Sequence, residues 1–405
     1  MPMSLTIEEF KDAVSKGLGR AVLSITPPVS PEVAELILTS FHESSFDGQD
    51  DSRGEYRYFL AERAGLLDEL LVRLTQQQED EDDEVRCERA ELLGSFVRRK
   101  NHSALLELRS IALAGLIYAS DELVNSGDME WVVDYITSTL PSEEKWRPGY
   151  WLENNPDLDE ERKKVLEAAD EEYCSYRQEN PEPEPPVRDF EQLLSEIVNG
   201  TAIRQDLSRI WRHLTQEQTD KVFEVWIEGE REMRGRSAAC LLIGSKHNVD
   251  VNRVLEKVRS GAPPIRFEVI LSKIESPEIC DLGLELLMAD PPDPRGIECL
   301  ESSFYIEDIE TIAEVLPKFE ELDDDTIHNI CLTLNHMADT DEVKRNLSIM
   351  RWVYENSPCS FCREGAVRRM VEAKSLPEEY LEEMQFDSES DIREVARTYL
   401  TQPEE

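Results

Sequence analysis

A helix-sized phrase returns about every thirty residues through the C-terminal half of this chain. Each copy begins with a basic or polar residue and runs into an apolar face rich in small residues. Arg236-Ser-Ala-Ala-Cys-Leu-Leu-Ile-Gly is one copy and Arg266-Phe-Glu-Val-Ile-Leu-Ser-Lys-Ile the next. Arg295-Gly-Ile-Glu-Cys-Leu, His328-Asn-Ile-Cys-Leu-Thr-Leu, Arg363-Glu-Gly-Ala-Val-Arg-Arg-Met and Arg393-Glu-Val-Ala-Arg-Thr-Tyr-Leu follow, at intervals of 30, 29, 33, 35 and 30 residues. A period of this size marks stacked supersecondary units, here helix pairs, in which each unit buries its apolar face against the next. Such an array announces a binding surface rather than a reaction.

Composition agrees with thin layers. Hydrophobic residues make up 40% of the 405 and charged residues 32%, which is polar for a globule with one central core. Leu, Glu, Ala and Arg recur while alternating β-branched runs are scarce, so the chain reads as nearly all helix. The 44 basic and 87 acidic residues leave a net charge of −43. Nucleic acid binding relies on Lys and Arg displacing counterions, and an anionic membrane surface repels the same excess of acid, so both are expected non-partners. The charge suits another protein as partner, a basic one if the acidic surface takes part, and equally suits a merely solvated surface. No apolar run approaches the ~18–20 residues that span a bilayer. Glu8, Glu9 and Asp12 precede any apolar stretch, unlike a signal peptide. Eight cysteines are too dilute for a disulfide scaffold, which points to reduced thiols in a cytoplasmic protein.

Along the chain, Thr6 and Glu9 form a capping-box pattern that opens a helix over Thr6–Ile25. A second long helix is expected from Glu55 to Gln77. Asp83-Glu-Val-Arg-Cys-Glu-Arg-Ala matches Asp391-Ile-Arg-Glu-Val-Ala and extends the repeat into the first half. Pro181-Glu-Pro-Glu-Pro-Pro186 reads as a stiff extended spacer. The expected organisation is an N-terminal helical region over 1–140, an irregular aromatic segment, charged helix and Pro/Glu-rich linker over 141–186, and a repeat array over 187–402.

These phrases resemble the HEAT-type repeat in its short variety of about thirty residues. The resemblance rests on Asp83 with Val85, Arg86 and Ala90, and on Asp391 with Ile392, Arg393 and Ala396, with Arg363 and Ala366 a weaker copy. His328 stands where one copy has arginine, and Glu298 occupies a position that is usually small or apolar in the family. The resemblance implies an all-α fold, an α-solenoid of HEAT-like helical hairpins with a less regular N-terminal region. It also implies that the recurring arginines bridge to aspartates of neighbouring repeats. Most members of the family are adaptors or scaffolds; a few are lyase-like bilin-attachment proteins, and an allied group excises alkylated bases from DNA.

Three functional classes stay open: a non-enzymatic scaffold or adaptor, an acidic inhibitor or immunity-type protein that neutralises a basic partner, and a lyase-like or base-excision enzyme. The last needs a basic groove, which the charge disfavours. No nucleophile elbow, phosphate-binding loop, dinucleotide fingerprint or His-Glu-x-x-His occurs, so no catalytic residue and no cofactor is assigned. Trp146, Tyr150 and Trp151 crowd an irregular segment, either packed on a helix or forming a partner-binding hot spot. Cys359-Ser-Phe-Cys362 is the one pair with metal-like spacing. A zinc shell needs two more ligands, for which His328, Cys331 and His336 are the sequence candidates, and inert thiols with no metal are the expectation.

Overall fold

The computed structural model describes residues 5–42, 53–76, 83–113, 164, 167, 171, 189–199, 201, 214–228, 232–244, 249–340, 343 and 346–401. Every regular element among them is helical and none is a strand, so the chain is all-α over the described residues. No described helix is long and apolar enough to cross a membrane. The chain divides into two compact units. The first holds Met1–Glu184, Pro358–Glu364 and Leu376–Glu405; the second holds Pro185–Ser357 and Gly365–Ser375.

The first unit opens with α1 (Ile7–Lys16), capped as the sequence suggests: the Thr6 hydroxyl accepts from the Glu9 N–H and the Glu9 carboxylate accepts from the Thr6 N–H. The helix expected to continue to Ile25 stops at Gly17, whose φ of +75° suits a residue without Cβ. The Gly17 N–H bonds to the Val14 carbonyl and the Leu18 N–H to that of Ala13, closing the helix end. A new helix, α2 (Gly19–Ser24), then starts, and α3 (Pro31–Thr39) follows behind its Ser30 cap. The second long helix breaks the same way. α4 (Arg53–Ala64) ends at Gly65, φ +73°, and α5 (Leu67–Leu74) restarts beyond it. α6 (Asp83–Arg98) packs against α4 and against α7 (His102–Leu113).

The second unit alternates two sets of helices. One set comprises α9 (Gln216–Ile227), α11 (Val251–Arg259), α13 (Pro277–Leu287), α15 (Ile309–Val315) and α17 (Leu347–Asn356), preceded by α8 (Phe190–Asn199). The other comprises α10 (Glu232–Gly244), α12 (Phe267–Leu271), α14 (Arg295–Leu300) and α16 (Asp324–Met337). α10 packs on α12, α12 on α14 and α14 on α16, in chain order. Between the two sets lies a core containing Phe223, Trp226, Leu241, Leu255, Phe267, Ile279 and Cys299. The indole N–H of Trp226 donates to the Ile265 carbonyl at 2.9 Å, so the largest core side chain also satisfies its polar atom.

Several polar contacts within this unit join residues twenty-six to thirty positions apart. Lys221 pairs with Glu191, thirty residues back, and Arg253 with Glu224, twenty-nine back. Lys257 pairs with Glu228, again twenty-nine apart, and Arg259 with Glu285, twenty-six apart. The Lys273 ammonium reaches the Ile243 carbonyl, thirty residues away, and the Ser303 hydroxyl donates to the Ile274 carbonyl, twenty-nine away. Arg369 closes the series on Asp339, thirty residues distant. Most of these pairs are solvent-exposed and worth only ~0.2–1 kcal/mol each, so they set register more than stability.

α18 (Ser360–Glu372) begins among the residues of the first unit and ends among those of the second. α19 (Glu378–Met384) and α20 (Ser390–Thr401) complete the first unit. There they meet its N-terminal helices. The Ser388 N–H donates to the Gly17 carbonyl at 2.8 Å, and Arg20 donates to Glu383 at 2.8 Å. Arg393 reaches Glu55, also at 2.8 Å.

Candidate protein-binding face

In the second unit, α10, α12, α14 and α16 are largely buried, and the partly buried and exposed residues of the last three form a candidate stripe. The stripe carries Glu268 on α12, Arg295 and Glu298 on α14, and Leu332 and His336 on α16, while Cys240 and Ile243 on α10 pack against the core. Leu332 is 41% exposed, a large apolar side chain on a helix whose other exposed residues, Asp324, Asp325, Asn329 and His336, are polar.

α14 shows how local sequence builds the stripe. Asp293 caps its start by accepting from the Arg295 N–H at 3.0 Å, and the same carboxylate grips the Arg295 guanidinium. That guanidinium lies 5.0 Å from the Phe267 ring centroid, so Arg295 is held by its own turn and by α12. One turn on from Arg295 stands Glu298. Burial pushes its carboxyl up to about 7, and the charges of Glu268 and then Glu301 add to the effect against Arg266 and Arg295. Glu268 is raised as well, first by burial. Glu301 sits 2.9 Å from Nδ1 of His336, linking α16 to the end of α14. The stripe is therefore a line of carboxylates, two of them poorly hydrated, beside one exposed leucine. Of these carboxyls, Glu298, raised to about 7, is the one placed to exchange a proton near neutrality.

The Glu298 shift has a testable sign. A carboxyl whose pKa is about 7 when folded and ~4.3 when unfolded binds its proton more tightly in the folded chain. Its ionised form thus costs stability above pH 7, and stability rises as pH falls from about 7 toward the unfolded value. Glu298→Gln is expected to raise stability by about 1–2 kcal/mol at pH 8, by less at pH 5, and by nothing below the unfolded value of ~4.3. Urea midpoints at the two pH values check this; equal midpoints at pH 8 would show a well-hydrated, unstrained carboxylate.

The recurring arginines have three different situations. Arg266 is exposed, with a left-handed φ of 55° just before α12. Arg295 turns back onto Asp293 in its own repeat. Arg363 is fully buried and reaches forward to Asp387 at 3.0 Å and to Ser388 at 2.9 Å. Arg393 is almost fully buried and donates to the carbonyls of Asp387 and Ser388. Of these four, only Arg363 makes the reach to an aspartate that the resemblance implies. The side chain of Arg236 lies outside the described residues.

Trp146, Tyr150 and Trp151 also lie outside the described residues. Cys331 is fully buried within α16, and His336 is the exposed partner of Glu301. Cys359 and Cys362 are both buried at the start of α18. Sequence reading marked Glu298 only as a departure from a repeat pattern. The signal that would have singled it out is a carboxylate on an otherwise apolar helix face. Compared with protein-family models, curated proteins and solved structures, the chain matches none.

Proposed function

We propose that this protein is a non-enzymatic scaffold or adaptor, an α-solenoid of HEAT-like helical hairpins that binds another protein along the stripe of α12, α14 and α16. The observation that carries the reading is the series of cross-ties at intervals of about thirty residues, because a repeat that ties each layer to its neighbour leaves one edge of every second helix open in line. The same reading takes 187–402 as the repeat array, 1–140 as its less regular partner region, 141–186 as the link between them, and the cytoplasm as the location. The carboxylates of the stripe and the charge of −43 favour a basic partner. Whether that partner is neutralised or merely recruited separates the inhibitor from the adaptor.

Affinity purification followed by binding kinetics tests this. A basic protein should be enriched, and its association should slow sharply as salt rises, because steering between opposite charges is screened over ~8–10 Å at physiological ionic strength. If the aromatic segment is the anchor instead, Trp146→Ala or Trp151→Ala should weaken binding by ~2 kcal/mol or more with little salt dependence. Recovery of no partner, together with turnover of a small molecule, would overturn the scaffold reading. Tight, salt-sensitive binding of duplex DNA would do the same in favour of base excision.

A further inference from the structure

The buried cysteines among the described residues fall into two kinds. Cys280, Cys299 and Cys331 stand singly inside helices and are buried in the core. Burial pushes the Cys280 thiol up to about 12, and the Cys299 thiol is also raised. These are small hydrophobes. Cys359 and Cys362 differ in four respects. Their sulfurs lie within 4.8 Å of each other, and neither is in a disulfide. Cys359 immediately precedes α18, and its sulfur accepts from the Cys362 N–H at 3.4 Å, so both side chains converge at the end of a thirteen-residue helix that favours negative charge. Both thiols are nearly inaccessible, at 1% and 4% exposed, yet Phe361 between them is 53% exposed, so the turn itself reaches the surface. Finally, the Ser360 hydroxyl is buried inside the same turn with no hydrogen-bond partner among the described residues. A buried orphan hydroxyl calls for an unseen water or ion beside it.

We propose that the turn Cys359-Ser-Phe-Cys362 is a binding site for a thiophilic divalent metal ion of the zinc type, held by both sulfurs. Two thiolates at ~2.3 Å in tetrahedral geometry place their sulfurs at a separation this pair already meets or nearly meets. Binding converts two thiols and one divalent ion into a dithiolate complex and releases two protons to solvent. The two sulfurs fill half of a tetrahedral shell, and the metal's own spectrum reads what fills the remainder.

The test uses the full-length chain, reduced and stripped of metal, titrated with Co²⁺ and then Zn²⁺. One equivalent of cobalt should produce thiolate-to-metal charge-transfer absorption with visible d–d bands, which zinc then bleaches. Cys359→Ser and Cys362→Ser should each weaken binding by at least roughly 100-fold, beyond the 10–100-fold that loss of an outer-shell partner costs. Zinc should raise the melting temperature of the parent chain and not that of either variant. Ser360→Ala, which leaves both sulfurs in place, should retain the charge-transfer band and verifies that the turn tolerates substitution. Absence of the band in the parent chain would overturn the site. So would a band that persists in the double serine variant, or a pair that only forms a disulfide, seen as a two-proton mass loss, and takes up no metal.

Discussion

Arg363→Leu is expected to destabilise the first unit by about 3–5 kcal/mol. Arg363 and Asp387 both have side chains that are 0% exposed, with nitrogen and oxygen 3.0 Å apart. The Ser388 hydroxyl takes a second guanidinium hydrogen bond at 2.9 Å, and the Glu389 N–H donates to the same Asp387 oxygen at 2.9 Å. Leucine fills much of the volume and leaves Asp387 as a buried charge facing a lost partner. That loss, rather than the worth of the pair itself, sets the size of the effect. A double variant, Arg363→Leu with Asp387→Leu, should therefore recover a large part of the stability, so the two single costs should be strongly non-additive. Chemical denaturation followed by fluorescence of each unit checks this. A single-variant cost under ~1 kcal/mol would mean that the carboxylate finds water or another cation.

Gly19→Ala is the second large effect, and its sign runs against helix propensity. Alanine in a helix is ordinarily favoured over glycine by about 1 kcal/mol. Here a Cβ on Gly19 would stand 1.9 Å from the Glu383 carbonyl oxygen and 2.9 Å from its carbon, so α2 and α19 would have to separate. The contact is with backbone, which cannot swing aside. The cost should reach about 3 kcal/mol, the upper end of overpacking, and Arg20 would lose its 2.8 Å contact with Glu383 alongside. Gly65→Ala is the control: that site has φ +73° but nothing within 4 Å, so only the ~1–2 kcal/mol of left-handed strain applies. Equal costs at the two positions would show that the clash is relieved by a small shift.

The helical class and several element starts were legible because they are written locally. Thr6 with Glu9, and Ser30 before Pro31, each satisfy helix-end N–H groups from neighbouring residues. The breaks at Gly17 and Gly65 were not legible, since the apolar stripe of Phe10, Val14, Leu18 and Val22 runs through the first without interruption. What ends α1 is close approach from Ser388 and Arg53, residues far away in sequence. The arginine of the phrase was visible in five of its six copies, at steps of about thirty residues, yet its environment was not. One residue type at one register became exposed at Arg266, self-turned at Arg295 and buried at Arg363. Pattern gives the position of a side chain, and desolvation decides its chemistry, which is why Glu298 showed only as an oddity and not as a proton-binding group near neutrality.

Because Arg20 bonds to Glu383 and Gly17 to Ser388, the first unit has its two halves at opposite ends of the synthesis schedule. At ~5–20 residues per second, roughly 20–70 seconds separate the making of Arg20 from that of Glu383. During that interval α2 and α4 wait with the surface that will receive α19 and α20 still open. By then every residue of the second unit has left the peptidyl-transferase centre, so the middle of the chain is able to fold while its flanks are incomplete. The nascent protein thus carries an unfinished apolar and charged seam until α19 and α20 are made, and it is at this stage that a holding chaperone has most to protect.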